Sequence, residues 1–110
     1  GKKVIYAVKG GPILNDATIS DAVYAGMDEI AEVITTGSNF LGVSLKRVSM
    51  TFLNRLKTAE LILSKGQANF ESLEGEELAG GKVFFLLKIK CHGVSKIAGA
   101  EFGDVVFIAG

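Results

Sequence analysis

Apolar and polar positions along this chain keep changing period, and the changes mark its elements. Lys3–Val8 (KVIYAV) runs through β-branched and aromatic residues without clean alternation, the pattern of a strand buried on both faces. Lys9-Gly10-Gly11-Pro12 breaks that run. Thr18, with Asp21 three residues on, resembles a capping box that opens a helix ended by Gly26. Asp28–Ala31 reads as one helical turn and Glu32–Thr35 as a short strand stopped by Gly37. From Ser44 the apolar residues Leu45, Val48, Phe52, Leu56 and Ala59 recur every three or four positions, which predicts an amphipathic helix. Glu60–Ser64 returns to a short strand ended by Lys65-Gly66-Gln67, and the acidic stretch Glu71–Glu77 reads as a helical turn and surface loop. Val83–Ile89 is the strongest strand signal. A brief helix over Val94–Ala98 with Gly99 as its stop, a turn at Gly103-Asp104 and a last strand, Val105–Ile108, complete the pattern.

Alternation of strands and helices predicts an α/β domain: a mostly parallel, Rossmann-like sheet of about five strands with helices on both faces. Residues 1–110 hold one domain of this kind, with an apolar share of 48% to fill its core. Composition then narrows the function. Twelve basic residues balance twelve acidic ones, which argues against a nucleic-acid partner. No apolar run exceeds the five residues of Val83–Leu87, against about 20 for a membrane helix. One Cys and one His exclude a disulfide framework and a structural zinc site. The expectation is a cytoplasmic protein with no nucleic-acid or membrane partner. Because the chain opens without Met, almost on a core strand, it also reads as a piece of something longer.

Ligands of such sheets lie beyond the carboxyl ends of the strands. Lys9–Asp16, Thr35–Asn39, Lys65–Glu71 and Cys91-His92 fall there. Asn15 and Asp16 offer oxygen donors for a hard divalent cation. Ser38 offers a hydroxyl beside exposed N–H groups, and Lys65 a cation on a Gly turn with the amides of Gln67 and Asn69 close by. Each has a plainer reading: Asp16 as a helix cap, Gly37-Ser38 as a turn, Lys65 as a solvated lysine. Cys91 and His92 are adjacent, and adjacent extended residues face opposite ways, so a buried Cys beside a surface His is expected rather than a dyad. Neither the Gly-x-Gly-x-x-Gly nor the Gly-x4-Gly-Lys-Ser/Thr fingerprint is present. If the strands are parallel, Asp16, Ser38 and Lys65 should line one concavity.

Four segments, in order, resemble the C-terminal part of the metal-dependent damage-control phosphatases, the acidic-residue methyltransferase-1-like group formerly catalogued as a domain of unknown function. They are Gly11–Thr18 (GPILNDAT), Val33–Ser38 (VITTGS), Ala59–Glu71 (AELILSKGQANFE) and Phe85–Cys91 (FLLKIKC). The resemblance implies a Rossmann-like domain with a helical region upstream, and divalent-metal-dependent hydrolysis of phosphate monoesters such as sugar phosphates or damaged phosphometabolites. It assigns Asp16, with Asn15 beside it, to the metal and Lys65 to the substrate phosphate. Gln67, Asn69 and Glu71 fall in the same motif, while Ala68 stands where the family more often has Gly. Manganese, cobalt, nickel or magnesium would serve as the ion. The family's first metal motif, an Asp-Asn pair followed by Gly-Glu, has no counterpart here. The implied partners are therefore a small phosphorylated metabolite and the missing upstream segment of the same protein, the isolated chain being inactive or nearly so. A non-catalytic phosphate- or nucleotide-binding module is one alternative. The other is an assembly fragment, or an oligomer, formed through an exposed sheet edge.

Overall fold

The computed structural model describes residues 2–110. Strands β1 (Ile5–Val8), β2 (Glu32–Thr35), β3 (Ile62–Lys65), β4 (Val83–Lys88) and β5 (Val105–Ala109) alternate with helices α1 (Ile19–Tyr24), α2 (Met50–Thr58), α3 (Gln67–Leu73) and α4 (His92–Ala98). A short 3₁₀ turn, Met27–Glu29, precedes β2. The α/β class holds. The single five-stranded sheet does not: β1 and β2 form one sheet and β3-β4-β5 a second. Pairing is parallel for β1 with β2 and for β3 with β4, each through an intervening helix, and antiparallel for β4 with β5.

Connections explain the departures. α1 and α3 each return the chain to the start of the next strand, as a parallel crossover must. α4 has seven residues and rises only about 10 Å. It leaves the chain at the end of β4 where it began, with Gly103 N donating to Ile89 O at 2.8 Å and Ile89 N to Asp104 O at 2.8 Å. β5 then has to run back along β4. The two sheets are joined through α2 rather than by a ladder: Ser49 N donates to Thr36 O at 2.8 Å, and Arg55 makes a two-pronged contact with Glu32 at 2.7 and 3.2 Å.

The long helix expected from Ser44 starts six residues later. Ser49 caps it by accepting a bond from Phe52 N at 3.1 Å, while Ser44–Val48 turn back on Ser44 O. Its far end is closed by Lys82, whose Nζ donates to the carbonyls of Leu56, Lys57 and Ala59 at 2.8–3.1 Å. The helical turn expected within Glu71–Glu77 belongs to a longer helix that begins at Gln67, α3, which buries Phe70 and Leu73. Two apolar residues three apart are too short a stripe to signal a helix on their own.

Helices on both faces are also not found for the larger sheet. Val83, Phe85, Leu87 and Ile89 pack with Phe52 and Leu56 of α2, Phe70 and Leu73 of α3, and Val94 of α4 in one buried cluster. Registers place Leu63, Phe84, Leu86, Phe107 and Val105 on the opposite face, and no member of the buried cluster lies there. Among the described residues no helix is long and apolar enough to cross a membrane.

Candidate functional site at the carboxyl ends of the strands

β1 ends in Val8 and then Lys9, which is only 8% exposed. Its backbone N–H donates to Ala17 O at 3.1 Å, and its Nζ donates to the Gly42 carbonyl. Burial pushes the ammonium below its ordinary 10.5, and the negative charge of Asp16 offsets part of that fall. Lys9 is a candidate that the sequence reading did not single out. Its one signal is a lysine set directly after an otherwise apolar strand.

The loop beyond Lys9 is shaped by close backbone approach. Gly10 N donates to Ser38 O at 2.8 Å, and a Cβ on Gly10 would lie 2.8 Å from Ser38 N, so only glycine lets these two loops touch. Ile13–Asp16 forms a turn closed by Asp16 N on Ile13 O at 3.0 Å, with Leu14 in the left-handed region at φ 47°. For a non-glycine residue that conformation costs about 1–2 kcal/mol. The capping duty that could have occupied Asp16 falls elsewhere: Asp21 accepts from Thr18 N at 2.8 Å and from Thr18 Oγ1 at 3.1 Å. Among the described residues no hydrogen bond engages the Asp16 carboxylate, which stands half-buried beside Lys9.

Two shallow hollows lie here. Asn15, Asp16, Asp21, Pro12 and Thr18 line one of about 440 Å³; Lys9, Gly10, Pro12, Thr18 and Thr35 line the other, of about 300 Å³. Of the residues expected to share one concavity, these two hollows hold Asp16, and neither is lined by Ser38 or Lys65. A physical strap lies between them. Gly42, at φ 70°, holds Lys9 on one side and meets α3 on the other, where a Cβ would fall 2.5 Å from Ala68 O. Val43 N then donates to Ser72 Oγ at 2.7 Å.

Ser38 belongs to a turn, its Oγ accepting from Phe40 N at 3.2 Å and its carbonyl from Thr36 Oγ1 at 3.1 Å. Lys65 is exposed at the end of β3. The amides after it are spent on holding the loop: Asn69 Nδ2 donates to Lys65 O at 2.6 Å, and Gln67 Oε1 accepts from Lys90 N at 2.6 Å. Gln67 Nε2 also lies 3.8 Å from the Cys91 sulfur, whose thiol faces Glu71 Oε1 at 4.0 Å. Cys91 is half-buried and His92 exposed. The arrangement thus comprises one uncapped carboxylate with an amide, one buried ammonium and one exposed ammonium, all on the carboxyl edge of parallel strands. Among the described residues no three His, Cys, Asp or Glu side chains gather to hold a metal. Asn15 and Asp16 are hard oxygen donors and fit a divalent cation as part of its shell only.

Comparison with known proteins gives these residues a context. Residues 1–106 match the family described as the damage-control phosphatase ARMT1-like domain. A damage-control phosphatase of Pyrococcus horikoshii is 45% identical over 94 residues, 86% of this chain and 32% of that protein. A damage-control phosphatase of Archaeoglobus fulgidus is 38% identical over 106 residues, covering 96% of this chain and 36% of the relative. An uncharacterized protein of Methanocaldococcus jannaschii is 45% identical over 108 residues, or 97% of this chain and 36% of that one. The crystal structure of a DUF89 family protein from P. horikoshii superposes with a TM-score of 0.90 at 41% identity, over 97% of this chain and 37% of that chain. This chain spans about a third of the length of the curated relatives it matches and corresponds to a C-terminal segment of them.

Proposed function

This chain belongs to the damage-control phosphatase family with the ARMT1-like domain, and on that footing we propose that it supplies part of the active site of a divalent-metal-dependent phosphatase acting on phosphate monoesters of small metabolites. The observation that carries this reading is the state of Asp16: half-buried, relieved of helix capping by Thr18 and Asp21, and set beside a buried cation. A carboxylate left uncommitted at the carboxyl edge of a parallel sheet is placed to hold an ion rather than to stabilise a helix.

Asp16 and the amide oxygen of Asn15 would hold a manganese, cobalt, nickel or magnesium ion, with phosphate, water and the rest of the family's polypeptide completing the shell. Such an ion would supply Lewis-acid chemistry toward a phosphoryl oxygen and a water. The chain's own residues do the remainder. Lys9 sets a positive charge near Asp16 and fixes its loop on Gly42. Lys65 presents an exposed ammonium that neutralises charge growing on the phosphoryl oxygens. Gln67 and Asn69 act on that lysine's loop through Lys90 N and Lys65 O. Ser38, beside the Gly10 backbone, is assigned to the outer rim of the phosphate site.

The test is a chimera in which this chain replaces the matching segment of the P. horikoshii phosphatase. It should hydrolyse p-nitrophenyl phosphate with manganese or cobalt. Asp16→Asn should lose metal affinity and activity together. Lys65→Ala should lower kcat/KM by a factor on the order of 10²–10³ with metal affinity kept. A folded chimera without phosphatase activity, or one indifferent to Asp16→Asn, overturns the reading.

A further inference from the structure

We propose that Ser72 is a positioning residue for Lys65, its hydroxyl joining that lysine's turn to the loop that carries Asp16, a role that rests on the phosphatase reading. Ser72 lies half-buried in α3. Its Oγ accepts from Val43 N at 2.7 Å and stands 2.9 Å from Ala68 O and 3.1 Å from Asn69 O. A hydroxyl has a single proton, so the two carbonyls share it while a lone pair takes the N–H. Helical serines commonly bond back to the carbonyl four residues earlier, and that contact is local to the helix. The bond from Val43, twenty-nine residues away in the chain, is not. Among the described residues it is the only hydrogen bond between α3 and any segment before β3.

Each end of this bond leads to a residue of the site. On one side Val43 follows Gly42, whose carbonyl accepts from Lys9 Nζ, and the Lys9 N–H donates at 3.1 Å to Ala17 O, next in the chain to Asp16. On the other side Asn69, whose carbonyl meets the Ser72 hydroxyl, donates from Nδ2 to Lys65 O at 2.6 Å. Phe70 N closes the same turn on Gly66 O at 3.1 Å. The two sheets share no ladder, so strand pairing does not fix how far Asp16 stands from Lys65. α2 ties on to β2 at Thr36 and Glu32, yet among the described residues no hydrogen bond runs from α2 to α3. Packing leaves the strap little play, since a Cβ on Gly42 would fall 2.8 Å from Ser72 Oγ. Ser72→Ala keeps a good helix former and removes only the hydroxyl, which deprives the N–H of buried Val43 of its acceptor. The strap is then free to shift against α3, and a misplacement of about 1 Å can cost about 10²-fold in rate.

A double-mutant cycle in the P. horikoshii chimera, with p-nitrophenyl phosphate and manganese, tests this role. Ser72→Ala should lower kcat/KM about tenfold, less than a full misplacement costs, with manganese affinity unchanged. In a Lys65→Ala background the same substitution should change kcat/KM by less than about twofold, because the group it acts through is gone. An equal loss in both backgrounds makes Ser72 merely structural and overturns the proposal. So does an unchanged kcat/KM where Lys65 is present. An inactive parent chimera strikes the phosphatase reading instead, and amide hydrogen exchange, which needs no turnover, then decides whether Ser72 holds the turn. Ser72→Ala should speed exchange at both Val43 and Phe70 about tenfold or more, while Phe85 in the middle of β4 keeps its rate. Unchanged exchange at Phe70 would show that the hydroxyl does not hold the Lys65 turn, and would overturn the proposal independently.

Discussion

The two halves of the molecule are built with very different amounts of core. β1, α1 and β2 bury Val8 and Ala22, while from Val43 onward eleven apolar residues join a single buried cluster. The chemistry is divided across that boundary. Asp16 sits on the thin half and Lys65 on the dense one, with Gly42 and its neighbours as the joint. The site proposed here takes its lysine from the densely packed half and its carboxylate from a loop that owes its position to a few polar contacts. The thin half is the weaker partner in any change of conditions.

The largest effect should come from the dense half. Phe85→Ala removes a fully buried ring that meets Phe70 edge-on at 4.9 Å, and should cost about 3–5 kcal/mol in urea unfolding. Phe107→Ala, on the same sheet but the bare face, should cost only about 0.2–1 kcal/mol. Both tyrosines, Tyr6 and Tyr24, lie in the thin half. Their fluorescence should therefore change at lower urea than far-UV circular dichroism, and coincident transitions would erase the contrast between the halves.

Next comes the joint. Gly42→Ala places a methyl where Ala68 O and Ser72 Oγ already stand, on a backbone at φ 70°, and should cost about 2–3 kcal/mol. The chimera carrying it should lose activity through a raised KM, since Asp16 and Lys65 would no longer be held at a fixed separation.

Smaller, and sharper, is the response of Lys9 to pH. The folded state holds this proton less tightly than the unfolded chain, so stability should rise as pH climbs through the folded value toward 10.5. Lys9→Met should lack that rise, read as the difference between the two proteins' urea midpoints from pH 7 to pH 10. Asp16→Asn should steepen it, because the carboxylate that steadies the ammonium is gone.

The smallest effect belongs to a half-exposed tie between the halves. Hydrogen bonds from Arg55, and then from Lys3, hold the Glu32 carboxyl below its ordinary 4.5. The stabilisation is present above 4.5 and disappears as pH falls through the folded value. Arg55→Met should therefore lower the thermal midpoint slightly at pH 7 and not at all in strong acid.

Much of this was legible from residues alone, and the exceptions share a cause. Glu32–Thr35 matches its strand end for end, Thr18 with Asp21 opens α1, and Gly99 closes α4, because each is decided by its immediate neighbours. The start of α2 was missed by six residues because Ser49 is held by Thr36, a partner distant in the chain. Antiparallel β5 depends on how far a seven-residue helix can carry the chain, which no hydrophobic pattern records. In the site, Asn15 and Asp16 stood out as donors and Lys65 as a cation, but Lys9 did not. What singles out Lys9 is burial under a carbonyl thirty-three residues away. The strap at Gly42, which lies between Lys9 and α3, was not legible for the same reason: it is made of residues with no chemical signature.

That strap also sets an order of events during synthesis. Within these residues β1, α1 and β2 are translated before the rest, with almost nothing of their own to pack against. Lys9 cannot be buried until Gly42 is in place, and Gly42 rests on Ala68 of a helix made later still. The sheet that anchors this helix is complete only when β5 has emerged, at the very end of these residues. The amino-terminal half of these residues is therefore made before the contacts that fix it. The carboxylate proposed to hold the metal is thus translated before the residues that fix its final surroundings.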